Sequence, residues 1–154
     1  MKRIVLLLAI LGVMVASCDT NNVRGDLKNR RDMLEASNWK LINLIGNGGS
    51  TSLPPCQQDN YYEFIPGSDG KYHEGAINCL DSNGTGNAPT YTPFKWQMTG
   101  DLRYIYFLDY GGDPDARFSW EILNMTFEEL KVRQKIVENG IDVRLDMTFR
   151  AISK

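Results

Sequence analysis

The side chains that could do chemistry in this 154-residue chain are few and scattered. Its one histidine, His73, follows Lys71 by two residues, and strand alternation puts both on a solvated face. A lone solvated histidine without a nucleophile to serve is not a general base. The stretch Asp109-Tyr110-Gly111-Gly112-Asp113-Pro114-Asp115 gathers three carboxylates, but it lacks the ligand spacing and closing Glu of a calcium loop. It reads as an acidic turn. Gly46, Gly48 and Gly49 are not followed by a Lys-Ser or Lys-Thr pair, so they are loop glycines and not a phosphate cradle. No Gly-x-Ser-x-Gly elbow is present. The expectation is a protein that is not an enzyme and carries no cofactor or metal.

The cysteines are more informative. Lys2 and Arg3 precede an apolar run, Ile4 to Val15, too short to span a bilayer. This is the layout of a secretory signal peptide. Its ending, Val15-Ala16-Ser17-Cys18, resembles the lipobox of bacterial lipoproteins. That resemblance implies that Cys18 becomes the first mature residue and carries acyl chains, palmitate among them. Two or more chains supply the apolar burial that stable anchoring needs. With Cys18 assigned, Cys56 and Cys79 remain, and an even remainder in an exported chain reads as one disulfide. Two cysteines and one histidine are too few for a closed zinc site. The mature chain has fifteen basic and nineteen acidic side chains, a net of −4. No basic cluster interleaves with aromatics, which argues against nucleic acid as a partner.

The elements that would position these groups read as strands. Residues 1–17 are the expected signal peptide, and 18–33 the lipidated Cys followed by a polar tether. Residues 34–154 form one domain, long enough to bury a real core. From Trp39 the pattern has period two. Eight strands are predicted: Trp39–Leu44, Asn60–Ile65, Lys71–Ala76, Phe94–Met98, Leu102–Leu108, Arg117–Leu123, Glu129–Val137 and Asp142–Ala151. Each has one dry and one wet face, as in antiparallel sheets. The connections at one end are short: Pro66–Gly70, Thr99–Asp101 and Asn124–Glu128. Three of the four at the other end are long: Ile45–Asp59, Ile77–Pro93 and Asp109–Ala116, against the short Glu138–Ile141. That sorting predicts an all-β fold, an eight-stranded antiparallel up-and-down barrel with a tight end and an elaborated end. Pairing Phe64 with Tyr72 in the second hairpin places Cys56 near Cys79 to within about a residue.

Several motifs together resemble the lipocalin-like domain of Gram-negative bacterial lipoproteins. They are LEASNWKL at 34–41, CQQDNYYEF from Cys56, DGKYHEG before Cys79, the Lys95-Trp96 pair and SWEILNMTFEELKV from Ser119. The resemblance implies that Trp39 packs at the closed end beneath Arg150. It departs from lipocalins proper in having Ser37 where a Gly is usual and no helix after the barrel. Large rings are expected inside: Tyr62, Phe64, Tyr72, Phe94, Trp96, Tyr104, Tyr106, Phe118 and Trp120. They could fill the barrel, or leave a pocket at the long-loop end lined by Tyr62, Glu74, Phe94, Tyr106, Phe118, Gln134 and Val143. Tyr91 and Tyr110 are the loop aromatics expected to make contacts. The reading is a membrane-anchored binding lipoprotein of the cell envelope, at the outer membrane on either face. It would hold a small hydrophobic or amphipathic ligand. The alternative is a solid barrel that recognises an envelope protein or glycan through its loops.

Overall fold

The computed structural model describes residues 20–47, 49–75, 91–138 and 140–154. A helix, α1 (Thr20–Ala36), leads into nine strands: β1 (Asn38–Gly46), β2 (Gly49–Thr51), β3 (Tyr61–Ile65), β4 (Asp69–His73), β5 (Tyr91–Met98), β6 (Tyr104–Leu108), β7 (Phe118–Met125), β8 (Glu129–Glu138) and β9 (Ile141–Ile152). All eight expected strands are present, with shifted ends. From β3 to β9 each strand pairs antiparallel with the next, and β9 returns to β1 from Asn38↔Ile152 to Gly46↔Leu145. The sheet is thereby closed into an eight-stranded up-and-down barrel. The ninth strand, β2, folds back on the upper end of β1 alone.

Alternation sets the interior. Trp39, Phe64, Phe94, Trp96, Ile105, Phe107, Trp120, Leu130, Val132, Met147 and Phe149 are buried in one core. Burial of such side chains contributes about 1.5–3 kcal/mol each before entropy is counted. Two β-bulges interrupt the rhythm, one between Leu41 and Asn43 in β1 and one between Ile122 and Asn124 in β7. A bulge adds a residue that the partner strand does not match. The added residues are Ile42 and Leu123, which explains why two aliphatic side chains in strands point into solvent.

Two expectations about phase need correction. Tyr104 and Tyr106 were expected inside. Instead Ile105 and Phe107 are fully buried, and Tyr106 is 39% exposed, paired with Gln97 and Ser119 on the outer face. The segment Tyr-Ile-Tyr-Phe-Leu is apolar at every position, so alternation gave no phase. A one-residue error turns every side chain over. The β3–β4 register also differs. Phe64 pairs with Gly70 and Tyr62 with Tyr72, two residues tighter than expected. The turn is only Pro66-Gly67-Ser68, with Gly67 and Ser68 at positive φ, so Asp69 and Gly70 already belong to β4. The edge of the Phe94 ring occupies the place where a Cβ on Gly70 would stand.

The tether is a helix from Thr20 onward, and its C-terminal half is docked on the barrel's tight end. Leu27, Arg30, Arg31 and Leu34 fall at i, i+3, i+4 and i+7, one stripe of a helix. Leu34 is 0% exposed, and its carbonyl accepts a 2.9 Å hydrogen bond from Trp39 Nε1. Arg31 donates to Ser68 Oγ at 2.8 Å and lies 4.8 Å over the Trp96 ring. Arg30 donates to the Leu102 carbonyl at 3.3 Å. The expected partnership of Trp39 with Arg150 is not formed. Trp39 pairs with Ala151, so Arg150 takes the opposite phase and is exposed beside Lys40 and Glu129. The arginine at the closed end comes from α1.

Candidate functional site

At the long-loop end the barrel interior divides into two halves of different composition. The half built by β3 to β7 is packed with rings. Tyr62 lies 4.8 Å from Tyr72, 4.9 Å from Trp120 and 6.0 Å from Phe94, centroid to centroid. Phe118 stacks on Phe107 at 4.4 Å. Tyr110, in the turn Tyr110–Gly112, folds inward over this cluster, stacked on Phe94 at 6.0 Å and edge-on to Phe118 at 5.3 Å. Its phenol interacts with that of Tyr62. Burial pushes the Tyr110 phenol up to about 12 and holds the Tyr62 phenol well above its ordinary value. Asp109 and Gly111 at positive φ make the turn that aims Tyr110 inward.

The other half is aliphatic and incompletely filled. A cavity of about 240 Å³ is walled by Leu41, Leu44, Leu145 and Met147, floored by Phe149 and Tyr62, and rimmed by Gln57, Asn60 and Tyr72. Its origin is the parting of two strands. β1 pairs with β3 only over Asn38–Lys40, and β2 joins β1 only from Leu44. Between them, β1 has no strand partner on that side. The segment from Leu53 to Asn60, with its short turn Pro55–Gln57, spans the gap without closing the sheet.

One buried amide organises the rim. Asn60 is 3% exposed. Its Oδ1 accepts the Gly75 N–H at 2.6 Å, and its Nδ2 donates to the Tyr72 hydroxyl at 2.7 Å and to Glu74 Oε2 at 3.1 Å. The backbone donor at Gly75 fixes which end of the amide is oxygen. The sequence marks Asn60 only as the first residue of a strand, since the groups that hold it, at Tyr72, Glu74 and Gly75, are distant in the chain.

The expected pocket residues are therefore dispersed. Tyr62 lines the cavity. Phe94 and Phe118 point inward but belong to the filled half. Tyr106 faces out. Glu74 reaches the rim and is tied to Asn60. Gln134 faces inward, where its Oε1 accepts from Trp120 Nε1 at 3.3 Å, which accounts for a polar group inside. Val143 is half-buried above Leu145 on the same face of β9. The cavity's own aliphatic wall, Leu41 and Leu44 from β1 with Leu145 and Met147 from β9, is not among the residues the sequence pointed to. Of the loop aromatics, Tyr91 opens β5 on the outer face with the Lys71 ammonium 4.7 Å above its ring. His73 is outward too, stacked on Tyr61 at 4.5 Å and 2.9 Å from a Glu63 carboxylate oxygen. The Asp113 carboxylate accepts the Asp115 N–H, as an acidic turn requires. Cys56 sits in the Pro55–Gln57 turn. Cys18 and Cys79 lie outside the described residues.

No protein family matches the sequence, and no curated protein matches it significantly. Solved structures do match. The chain is similar to bovine odorant-binding protein in complex with a selenium-containing odorant, at 11% identity over 79% of this chain and 73% of that one, with a TM-score of 0.44. It is similar to apocrustacyanin C1 at 17% identity over 90% of this chain and 72% of that one, with a TM-score of 0.47. The fold assignment rests on the strand order and registers above.

Proposed function

We propose that this chain is a membrane-anchored, lipocalin-like lipoprotein that binds a small hydrophobic or amphipathic molecule and does not catalyse. The observation that carries the binding role is the aliphatic cavity between β1, β9 and the Leu53–Asn60 segment. It has apolar walls and a few convergent polar groups, the composition of a small-molecule site. At about 240 Å³ it is smaller than drug-sized sites, which begin at roughly 300 Å³. The ring-filled half answers to the solid-barrel alternative, but the aliphatic half does not.

The anchoring rests on the sequence from Lys2 to Cys18. No helix among the described residues is long and apolar enough to cross a membrane. The proposed attachment is acylation at Cys18, on the lipobox-like ending Val15-Ala16-Ser17-Cys18. Helix α1 starts two residues later and ends docked on the closed end. The barrel would then hang from its closed end, with its mouth turned away from the outer membrane. The Cys56–Cys79 bridge is proposed on the even cysteine remainder of an exported chain. The bridge would brace the segment that rims the cavity.

Binding is tested on the full chain in lipid nanodiscs by displacement of a fluorescent apolar probe, with empty discs as the blank. Leu145→Trp fills the cavity from a half-buried position and should weaken binding at least tenfold. Tyr106→Ala, on the outer face, should leave it unchanged. Unaltered binding by Leu145→Trp would remove the cavity as the site. Cys18→Ser should move the protein out of the membrane fraction.

A further inference from the structure

We propose that the cavity selects small neutral molecules carrying a carbonyl-type oxygen, and discriminates against carboxylates of the same length. This deepens the binding role proposed above and rests on it.

The argument starts from Asn60. With its Oδ1 taken by the Gly75 N–H, its Nδ2 must donate, and one of its two acceptors is the Tyr72 hydroxyl at 2.7 Å. That bond uses the phenol oxygen as an acceptor and leaves the phenol hydrogen to be given away. Among the described residues nothing accepts it, while Tyr72 forms part of the cavity rim. Burial and the nearby Glu74 charge hold the phenol above its ordinary value, so it stays a donor throughout physiological pH. An O–H donor at the edge of an aliphatic cavity asks for an acceptor oxygen on a mostly apolar body. A ketone, aldehyde or ester supplies one.

Charge then narrows the class. No charged side chain lines the cavity among the described residues, and the Glu74 carboxylate is held beside Tyr72 by Asn60. A carboxylate ligand would face that negative charge with no lysine or arginine to meet it. It would also lose its hydration, which is costly for any unpaired ion. A neutral carbonyl accepts from Tyr72 without bringing a negative charge toward Glu74.

The test compares two eight-carbon probes, 2-octanone and octanoate, by isothermal titration into the full chain in nanodiscs. The expected result is 2-octanone at least tenfold tighter than octanoate. Tyr72→Phe should weaken 2-octanone about five- to tenfold, the loss of one hydrogen bond. Glu74→Gln should narrow the gap between octanoate and 2-octanone. Octanoate binding as tightly as 2-octanone overturns the selectivity with no variant needed. So does a folded Tyr72→Phe protein that keeps its full affinity. If neither probe binds, the binding role falls as well.

Discussion

Whether residues 20–36 form a tether or a working part of the domain can be decided at Leu34. Its side chain is fully buried beneath the barrel, against the end where Trp39 and Trp96 also lie. Leu34→Ala removes the apolar atoms and leaves a hole, because the rigid barrel floor cannot collapse around it. Buried Leu→Ala changes of this kind cost about 2–5 kcal/mol. The backbone carbonyl that accepts from Trp39 Nε1 is untouched, so no hydrogen-bond loss is added. A value near 3 kcal/mol is expected, and for a chain of this size that lowers Tm by roughly 6–12 °C. Urea unfolding followed by tryptophan fluorescence measures it, with the slope unchanged if the folded state keeps its extent. The control is Lys28→Ala. That side chain is exposed and paired only with Asp32 one turn on, so the change should stay within about 0.5 kcal/mol. If Leu34→Ala is as mild as Lys28→Ala, the helix contributes nothing to the fold and the docking described here is wrong.

Two further outcomes follow from single contacts. Gly70→Ala would set a methyl group against the Phe94 ring and should cost about 1–3 kcal/mol, visible in the urea midpoint and as altered near-ultraviolet dichroism; an unchanged midpoint would mean that the ring has room to move. Tyr110 is neutral in the fold up to about pH 12 but ionises near its ordinary value of 10 when unfolded. Its stabilising contribution is complete below pH 10 and is lost as pH rises toward 12, by roughly 2–3 kcal/mol in all. Tyr110→Phe should flatten that alkaline decline, and absorbance at 295 nm should lose a late-ionising phenol.

The barrel was legible in the sequence because strands with one wet face announce themselves. In β9, Val143, Leu145, Met147 and Phe149 alternate with charged or polar residues, and in β8 Leu130 and Val132 are bracketed by Lys131 and Arg133. Loop lengths sorted by end gave the topology, since a meander can only turn at its two rims. What failed were the places where that contrast is missing. In β6 every residue is apolar, so the inward pair could not be told from the outward one. Helix α1 hid its seam because two of the four residues on it are arginines. Arg31 packs flat on Trp96 and gives its donors to Ser68 and Glu35, a mode of burial that a hydrophobic pattern does not register.

The site was less legible for a related reason. The pocket expected from the sequence draws mostly on aromatic residues, the largest inward side chains, beside Glu74, Gln134 and Val143. Large inward side chains are what fill a narrow barrel, and here Phe94, Phe118, Tyr62 and Tyr110 close over one half of the mouth. Space survives where the inward residues are aliphatic and the flanking strands separate, along β1 and β9. That separation depends on β1 pairing with β3 for only three residues and then with the short β2, a tertiary fact with no local signature. The polar rim is equally non-local, since Asn60 is satisfied only by the backbone of Gly75 and by side chains one strand away. Once those three bonds are drawn, counting donors and acceptors leaves the Tyr72 hydroxyl with a hydrogen to give. The ligand chemistry proposed above follows from that donor.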